Sequence, residues 1–361
     1  MSYDWIVGLL AGIANTPILT STPTRIKDYL TFASAEPFTV SVANSTKNWD
    51  GTLYYSVDAE MWNVWSGDTT LFSDYNNGEY RLYMCGVGNT KITGYSTNYR
   101  WVLSGTDIRC SGNIETLLDY PTVVIGEHPV MSTYCYYYMF LNCTSLTTPP
   151  ELPATTLANH CYSSMFYGCT SLTTTPELPA TTLAASCYNS MFQNCTSLTT
   201  PPELPATTLA NYCYSNMFDG CTSLTTAPEL PATTLANYCY SSMFKNCTSL
   251  TTPPELPTTT LANYCYYYMF LNCTSLTTPP ELPATTLANE CYYSMFKGCK
   301  NIKLSTTKSE EYNMEYCIPS VGDGTTATDA LKDMFYNTGG TFTGTPSINT
   351  TYYMANTSVL E

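Results

Sequence analysis

Apolar residues recur in this chain at a fixed interval of 26 residues from position 135 onward. Each interval holds a Cys, a Met-Phe pair beginning four residues later, a second Cys after eight residues and a Leu three residues beyond it. The first Cys column comprises Cys135, Cys161, Cys187, Cys213, Cys239, Cys265, Cys291 and Cys317. A unit of this length cannot bury its apolar face alone, whereas stacked copies can. The pattern predicts a solenoid whose repeats lie about one strand spacing, ~4.8 Å, apart.

Two kinds of local structure are predicted within a unit. Leu146 and Leu152 are an even number of positions apart, so an extended segment places both on one face. The prolines between and after them limit that strand to a short piece. Leu157, Cys161 and Met165 then recur every fourth residue, which is typical of one face of a helical turn.

A Gly or Asn ends each of these predicted helical turns, where a left-handed residue is expected. The Asn residues at this phase also begin formal glycosylation sequons, namely Asn142, Asn194, Asn246 and Asn272. Gly fills the same phase in three other repeats, so a turn with positive φ explains both residue types better than glycosylation does.

The residues before the repeats follow a different pattern. All five tryptophans lie in the first 101 residues, and segments 38–43, 52–57, 62–65 and 79–84 are rich in β-formers and separated by turn residues. The fold class is therefore mixed, with a β-sandwich-like domain at 36–105, a repeat solenoid at 106–304 and an irregular C-terminal cap at 305–361. Residues 1–35, with an apolar stretch at 6–14, are predicted to form an arm or anchor.

Composition excludes several classes of function. Only 11% of the residues are charged and the formal charge is −15, so Thr, Ser, Asn and the 32 tyrosines must make the surface polar. An acidic chain does not favour nucleic-acid binding. No apolar run approaches the ~18 residues of a membrane span. With two histidines and no acid–base or nucleophile–base constellation defensible from spacing, the sequence predicts a protein that is not an enzyme and needs no cofactor.

The 17 cysteines allow three interpretations. Two Cys eight residues apart do not form the short knuckles that bind zinc. Disulfides between neighbouring repeats are conceivable, because one strand spacing lies within the Cα separation of a bridge. An odd number of cysteines in one-per-repeat columns favours buried, reduced thiols. We therefore expect assembly in a reducing compartment.

One acidic column also follows the repeat: Glu151, Glu177, Glu203, Glu229, Glu255 and Glu281. The simpler interpretation is a solvated stripe screened by salt. The more specific alternative is a divalent-cation site, because Ca²⁺ is bound by carboxylate oxygens.

The repeats differ from one another at few positions, which lie between the core columns. Some of these positions carry tyrosines that we regard as a candidate binding surface: Tyr137, Tyr138, Tyr167, Tyr267 and Tyr268. Variation there is either neutral or forms a contact face, since Tyr supplies a large contact area at low entropic cost.

The phrase M-F-x-G/N-C-T-S-L-T followed by P-E-L-P resembles the leucine-rich repeats of the BspA-like surface proteins of bacteria and some protozoa, over about residues 131–304. The resemblance implies a right-handed solenoid that serves adhesion or recognition without catalysis, and it brings no catalytic residues. The C-terminal units depart from the phrase, since Cys299 begins C-K-N-I-K and the next Met-Phe pair follows only at Met334.

These features together predict a recognition protein held by its N-terminal region. The preferred hypothesis is a virion component of a bacteriophage, and the alternative is an adhesin on a bacterial cell surface. The expected partners are a virion or envelope scaffold at the N-terminal region and a host-surface protein or glycan at the repeats. Self-association into a homo-oligomer is left open.

Overall fold

The computed structural model describes residues 29–355, so the apolar stretch at 6–14 and most of the predicted arm lie outside the described residues. Its N-terminal strands are β1 (Leu30–Ser34), β2 (Thr39–Val42), β3 (Thr52–Ser56), β4 (Asn63–Trp65), β5 (Leu71–Phe72), β6 (Asp74–Asn76), β7 (Glu79–Val87), β8 (Trp101–Ser104), β9 (Ile108–Ser111) and β10 (Leu146–Thr148). The remaining elements are β11 (Lys303–Ser305), β12 (Tyr312–Cys317), β13 (Gly339–Gly340), β14 (Thr351–Ala355), helix α1 (Thr116–Val124), which is interrupted at Asp119, and the 3₁₀ helices η1 (Ala43–Ser45) and η2 (Thr97–Tyr99).

The N-terminal region contains two sheets that share one core. A seven-stranded sheet runs in the order β10-β9-β1-β7-β3-β4, with β6 beside β7, and a three-stranded sheet runs β5-β2-β8. Between them, Trp65 lies 5.2 Å from Trp49 and 5.4 Å from Trp101, measured between ring centroids. The predicted strands at 38–43, 52–57, 62–65 and 79–84 all correspond to observed strands. The boundary at 35 is wrong, because β1 lies inside the large sheet, between β7 and β9.

The repeats contain consecutive tight turns and no helix, so the predicted helical turn is wrong. In one repeat, the N–H groups of Cys161, Ser163 and Met165 donate to the carbonyls three residues earlier. Left-handed φ values occur every fourth residue, at His160 (56°), Ser164 (54°) and Gly168 (72°). An α-helix requires successive right-handed residues, so a left-handed residue at this interval converts it into a series of turns.

Every second N–H group of these turns bonds to the next repeat. Tyr162 donates to the Cys187 carbonyl at 3.0 Å, Ser164 to Asn189 at 2.8 Å, Phe166 to Met191 at 3.0 Å and Gly168 to Gln193 at 2.8 Å. The same pattern recurs from repeat to repeat. The repeats are thus joined by a backbone ladder on the side where no regular strand forms.

The extended side of each repeat is paired more sparsely. Leu146 and Leu152 are both buried, as the even spacing predicts, but only residues 146–148 form a strand. Further along, a parallel bridge joins Thr156 to Thr182, and equivalent bridges link most of the following repeats. Prolines limit pairing here because they lack an N–H donor.

The N-terminal domain forms the first layer of the solenoid. Strand β9 pairs in parallel with β10 of the first repeat. The N–H groups of Ile92, Trp101 and Ile108 donate to the carbonyls of Cys135, Met139 and Ser145 at 2.7–2.9 Å. One hydrophobic cluster continues from β1 through all the repeats. The boundary predicted at 105 therefore does not separate two cores.

The turn ladder extends beyond the boundary predicted at 304. Tyr292 donates to Ala330 at 3.0 Å and Phe296 to Met334 at 3.0 Å, and Phe335 stacks on Phe296 at 5.4 Å. The long interval before Met334 contains β11 and β12, which join a four-stranded sheet in the order β12-β14-β11-β13. This sheet covers the end of the core. Within residues 29–355, no helix is long and apolar enough to cross a membrane.

Two aromatic columns run through the core. The Phe of each Met-Phe pair stacks on the next, with centroids 5.4–5.8 Å apart from Phe140 to Phe335. Tyr136 begins a second column of seven buried tyrosines that ends at Tyr292, with centroids 5.5–5.9 Å apart. The expectation that tyrosines make the surface polar is wrong for this column.

All 17 cysteines are free, and all but the partly exposed Cys317 are buried. The second Cys of a repeat donates its S–H to the Phe carbonyl of the preceding repeat, as Cys195 does to Phe166 at 3.1 Å. Five other repeats show the same bond at 3.0–3.1 Å. That carbonyl also accepts the N–H of Cys169, so the thiol satisfies its second lone pair. The cysteines thus occupy the buried positions that the one-per-repeat columns predict.

Replacing Leu198, which is fully buried, by Ala is expected to lower the free energy of unfolding by about 2–5 kcal/mol, because it leaves a cavity in the stacked core. Denaturant unfolding of the full chain measures this. Thr199→Ala, at the exposed neighbouring position, is the control and should change stability by less than about 0.5 kcal/mol. An equally small effect of Leu198→Ala would contradict the core assignment.

Thiol titration under non-reducing conditions should detect close to all 17 cysteines after denaturation and at most Cys317 in the native protein. Burial both hides the thiols and raises their pKa, for example that of Cys161 to about 12, so the reactive thiolate is scarce at neutral pH. Recovering only one or two thiols from the denatured chain would instead demonstrate disulfides.

Candidate binding surface

The candidate tyrosines lie on the surface formed by the consecutive turns of each repeat, which we call the turn face. Tyr137, Tyr138, Tyr167, Tyr267 and Tyr268 are all half-buried there. The structure brings four of them into two clusters. Tyr167 stays apart, and its hydroxyl accepts a hydrogen bond from the Asn194 amide at 3.2 Å.

The first aromatic cluster surrounds Tyr137 at the N-terminal end of the turn face. Tyr138 lies 4.1 Å and Tyr134 5.3 Å from Tyr137, between ring centroids. Tyr95, from the N-terminal domain and 72% exposed, stacks on Tyr137 at 5.7 Å. His160 stacks on Tyr134 at 4.7 Å. Together these rings form one continuous aromatic surface.

The second aromatic cluster surrounds Tyr267 near the C-terminal end. Tyr268 lies 4.1 Å and Tyr264 5.8 Å from Tyr267, and Tyr293 of the next repeat stacks on Tyr267 at 5.1 Å. Tyr238 stacks on Tyr264 at 4.3 Å. Tyr212, which is 41% exposed, extends this row by one further repeat at 4.6 Å from Tyr238.

Sequence reasoning missed the column just before the first Cys of each repeat, although it supplies both clusters. Tyr134, Tyr212, Tyr238 and Tyr264 all occupy it, and all have left-handed φ of 57–64°. Their rings pack against one another or against Tyr137 and Tyr267 on the turn face. Aligning the repeats on Cys would have shown this column to be variable and rich in Tyr.

A polar network lies between the two clusters. Asp219 is only 4% exposed and accepts hydrogen bonds from Gln193 at 3.0 Å, Asn246 at 2.9 Å and Lys245 at 3.3 Å. Three donors from two neighbouring repeats compensate the buried carboxylate. This part of the turn face therefore presents little net charge.

Three of the four sequon asparagines use their side-chain amides within the ladder of repeats. Asn272 donates to Asn246 at 3.0 Å, Asn246 donates to Asp219, and Asn194 donates to Tyr167. Left-handed φ at Asn142 (59°) and Gly168 (72°) confirms that this phase requires a residue tolerant of positive φ. Both observations favour the structural explanation of these Asn residues.

The acidic column lies on a different surface, among the prolines. All six glutamates, from Glu151 to Glu281, are exposed. A shallow groove of about 300 Å³ separates two of their repeats, lined by Glu255, Glu281, Leu256 and prolines. Within residues 29–355, no three His, Cys, Asp or Glu side chains converge into a set that could hold a metal ion. The calcium alternative therefore gains no support from the geometry.

One acid–base pair was not predicted from spacing. Glu115 is 1% exposed, and its Oε2 forms a hydrogen bond with His128 Nδ1 at 2.7 Å. The pair lies at the junction of the N-terminal domain and the first repeat. Burial raises the pKa of Glu115, and the bond to His128 partly opposes that shift.

The comparisons with known proteins agree with the repeat pattern. A family profile described as the BspA type leucine-rich repeat region matches six copies, over residues 130–252 and 186–318. These matches together span more than half of the chain. No curated protein matches the chain, and no solved structure matches it.

Glu290→Gln is expected to lower the pKa of Tyr264 from about 12 toward the ordinary 10.0, because the Glu290 carboxylate accepts the phenol hydrogen bond at 3.0 Å and disfavours its ionisation. A difference absorbance titration of tyrosinate would show one additional phenol ionising between these pH values. His160→Gln, at the equivalent position of the first cluster, is the control. Identical titration curves for wild type and Glu290→Gln would refute this assignment.

Proposed function

Because the chain belongs to the BspA-type leucine-rich repeat family, we propose that it is a non-enzymatic recognition and adhesion protein that displays its turn face to a partner. Proteins of this family are typically surface-exposed, are often adhesins and are typically not enzymes. In this protein the turn face would make the contact and the N-terminal end would be held.

The single observation that carries the proposal is the aromatic turn face. Stacking of repeats occupies the Cys, Phe and inner Tyr columns, yet a second set of tyrosines, including Tyr95 and Tyr212, remains exposed. Clusters of Tyr are favourable contact surfaces because a rigid ring supplies both apolar area and a hydroxyl group. Stacking of the repeat core does not require the exposed rings of Tyr95 and Tyr212.

The N-terminal end is the proposed site of attachment. Met61, Val64 and Phe72 are large apolar residues that are 56–69% exposed, and all belong to the N-terminal domain. Val64 lies in β4, the edge strand of the large sheet, whose outer backbone groups are available for pairing. Exposed apolar side chains beside an open edge are typical of a docking surface for a scaffold.

We further propose that the protein is located on a bacteriophage virion, with a bacterial cell surface as the alternative location. Buried free thiols in every repeat support assembly in a reducing compartment. A virion component is completed in the cytoplasm before release, whereas an exported adhesin meets oxidising conditions earlier. Immunogold labelling of purified particles and of cell envelopes with an antibody against the repeats distinguishes the two locations.

Deleting residues 1–28 should release the protein from its particle or envelope while leaving the repeats folded. The cut stops at residue 28 because β1 begins at Leu30 and belongs to the sheet. Circular dichroism and denaturant unfolding report the fold, and co-sedimentation with particles or envelopes reports attachment. A point variant at the edge strand, Val64→Lys, provides a second measurement on the same end. Retained attachment of both variants would show that the anchor lies elsewhere.

A further inference from the structure

The turn face carries nearly the same tyrosine arrangement twice. Residues 134–159 are identical in sequence to residues 264–289, and the first difference is His160 against Glu290. Tyr134, Tyr137 and Tyr138 therefore correspond to Tyr264, Tyr267 and Tyr268. The close ring pair has the same 4.1 Å centroid separation at both places.

The fourth ring of each arrangement comes from an unrelated part of the chain. Tyr95, in the N-terminal domain, stacks on Tyr137 at 5.7 Å with an interplanar angle of 29°. Tyr293, in the repeat that follows, stacks on Tyr267 at 5.1 Å and 26°. Duplication of one repeat does not explain this similarity, because the two fourth rings have different origins. The recurring unit is thus a cluster of four tyrosines.

Between the two clusters no repeat has a close tyrosine pair, although Tyr212 and Tyr238 extend the second cluster toward the first. The positions of Tyr137 and Tyr138 are occupied there by pairs of small polar residues: Ser163 and Ser164, Asn189 and Ser190, Ser215 and Asn216, and Ser241 and Ser242. Four repeats lie between equivalent tyrosines, which is five repeat steps, so at about 4.8 Å per step the clusters are about 24 Å apart. They lie on the same face because every repeat bonds to the next in the same register.

Resting on the function proposed above, we propose that the two four-tyrosine clusters are twin binding sites that engage one linear, neutral polysaccharide chain simultaneously. Two sites built on the same three tyrosines along one face favour a ligand that repeats its own structure, since a unique protein epitope can occupy only one of them. Tyr rings pack against the C–H faces of sugars, and their hydroxyl groups, with the intervening Ser and Asn, exchange hydrogen bonds with sugar hydroxyls.

The charge of the face supports a neutral ligand. The charged side chains at and between the clusters are paired or hydrogen-bonded: Asp219 with Lys245 at 3.3 Å, Lys332 with Asp329 at 3.1 Å, and Glu290 with the Tyr264 hydroxyl at 3.0 Å. Among the described residues, the turn face has no array of cations that would bind a polyanion. The exposed carboxylates of this protein, which would bind a polycation, lie on the proline surface instead. Simultaneous engagement of two weak sites strengthens binding well beyond either one.

Substitutions that other repeats already contain provide the test. Tyr137→Ser with Tyr138→Ser reproduces the residues at 163 and 164, and Tyr267→Ser with Tyr268→Ser does the same for the second site. Ser164 and Ser242 hold the left-handed φ of 54–55° that Tyr138 and Tyr268 require, so the backbone is preserved. Thr199→Ala, at an exposed position outside the turn face, is the control.

Binding of the full chain is measured on immobilised β-glucan, β-mannan and α-mannan, and on short oligosaccharides of the same sugars. Each double variant should bind a polysaccharide at least about tenfold more weakly, the fourfold variant should not bind, and the control should match wild type. The number of oligosaccharide sites per chain should fall from two to one in each double variant.

Three results would overturn this inference. They are a loss of about twofold or less in both double variants, a loss confined to one of them, or no binding of wild type to any of the three polysaccharides. The proposed function is tested separately: a fourfold variant that is displayed and still adheres to target cells like wild type would refute the twin glycan sites alone.

Discussion

The backbone ladder between consecutive turns is the constraint on which the rest of this structure depends. Every second N–H group of a turn segment donates to the following repeat, as Tyr162 does to Cys187. The intervening N–H groups close turns within the repeat. This alternation exists only because a left-handed residue occurs at every fourth position, which prevents an α-helix from using the same donors.

The ladder also explains why Cys and Phe form the repeated columns. A Phe carbonyl such as that of Phe166 accepts one bond from the N–H of Cys169 and a second from the thiol of Cys195. The carbonyl is already satisfied by the N–H, so the buried thiol adds a second hydrogen bond where only a small donor fits. The thiol thus contributes a hydrogen bond and apolar packing together, and a disulfide would remove the donor.

The period of 26 predicted the stacking, the buried columns and the family, because the same residue type recurs at each position that packs in the core. It did not predict the backbone between Leu157 and Cys169, since a spacing of four is shared by a helix and by successive turns, and only the φ values separate them. Nor did it distinguish the buried column beginning at Tyr136 from the exposed ring of Tyr137. Which of three consecutive tyrosines points into the core depends on the turn geometry, which residue identity alone does not give.

Fold and recognition are separated in this chain by the same geometry. Residues that bond or stack across repeats cannot vary without disturbing two neighbours, whereas Tyr137 and its equivalents contribute mainly their rings to the surface. The serines at 163 and 164 show that the backbone accepts small residues at these positions. A surface of this kind can gain or lose a tyrosine cluster in one repeat at little cost to the core. The distance between clusters is then fixed by the number of repeats, so under the proposed two-site binding the repeat count would determine which ligand spacing fits.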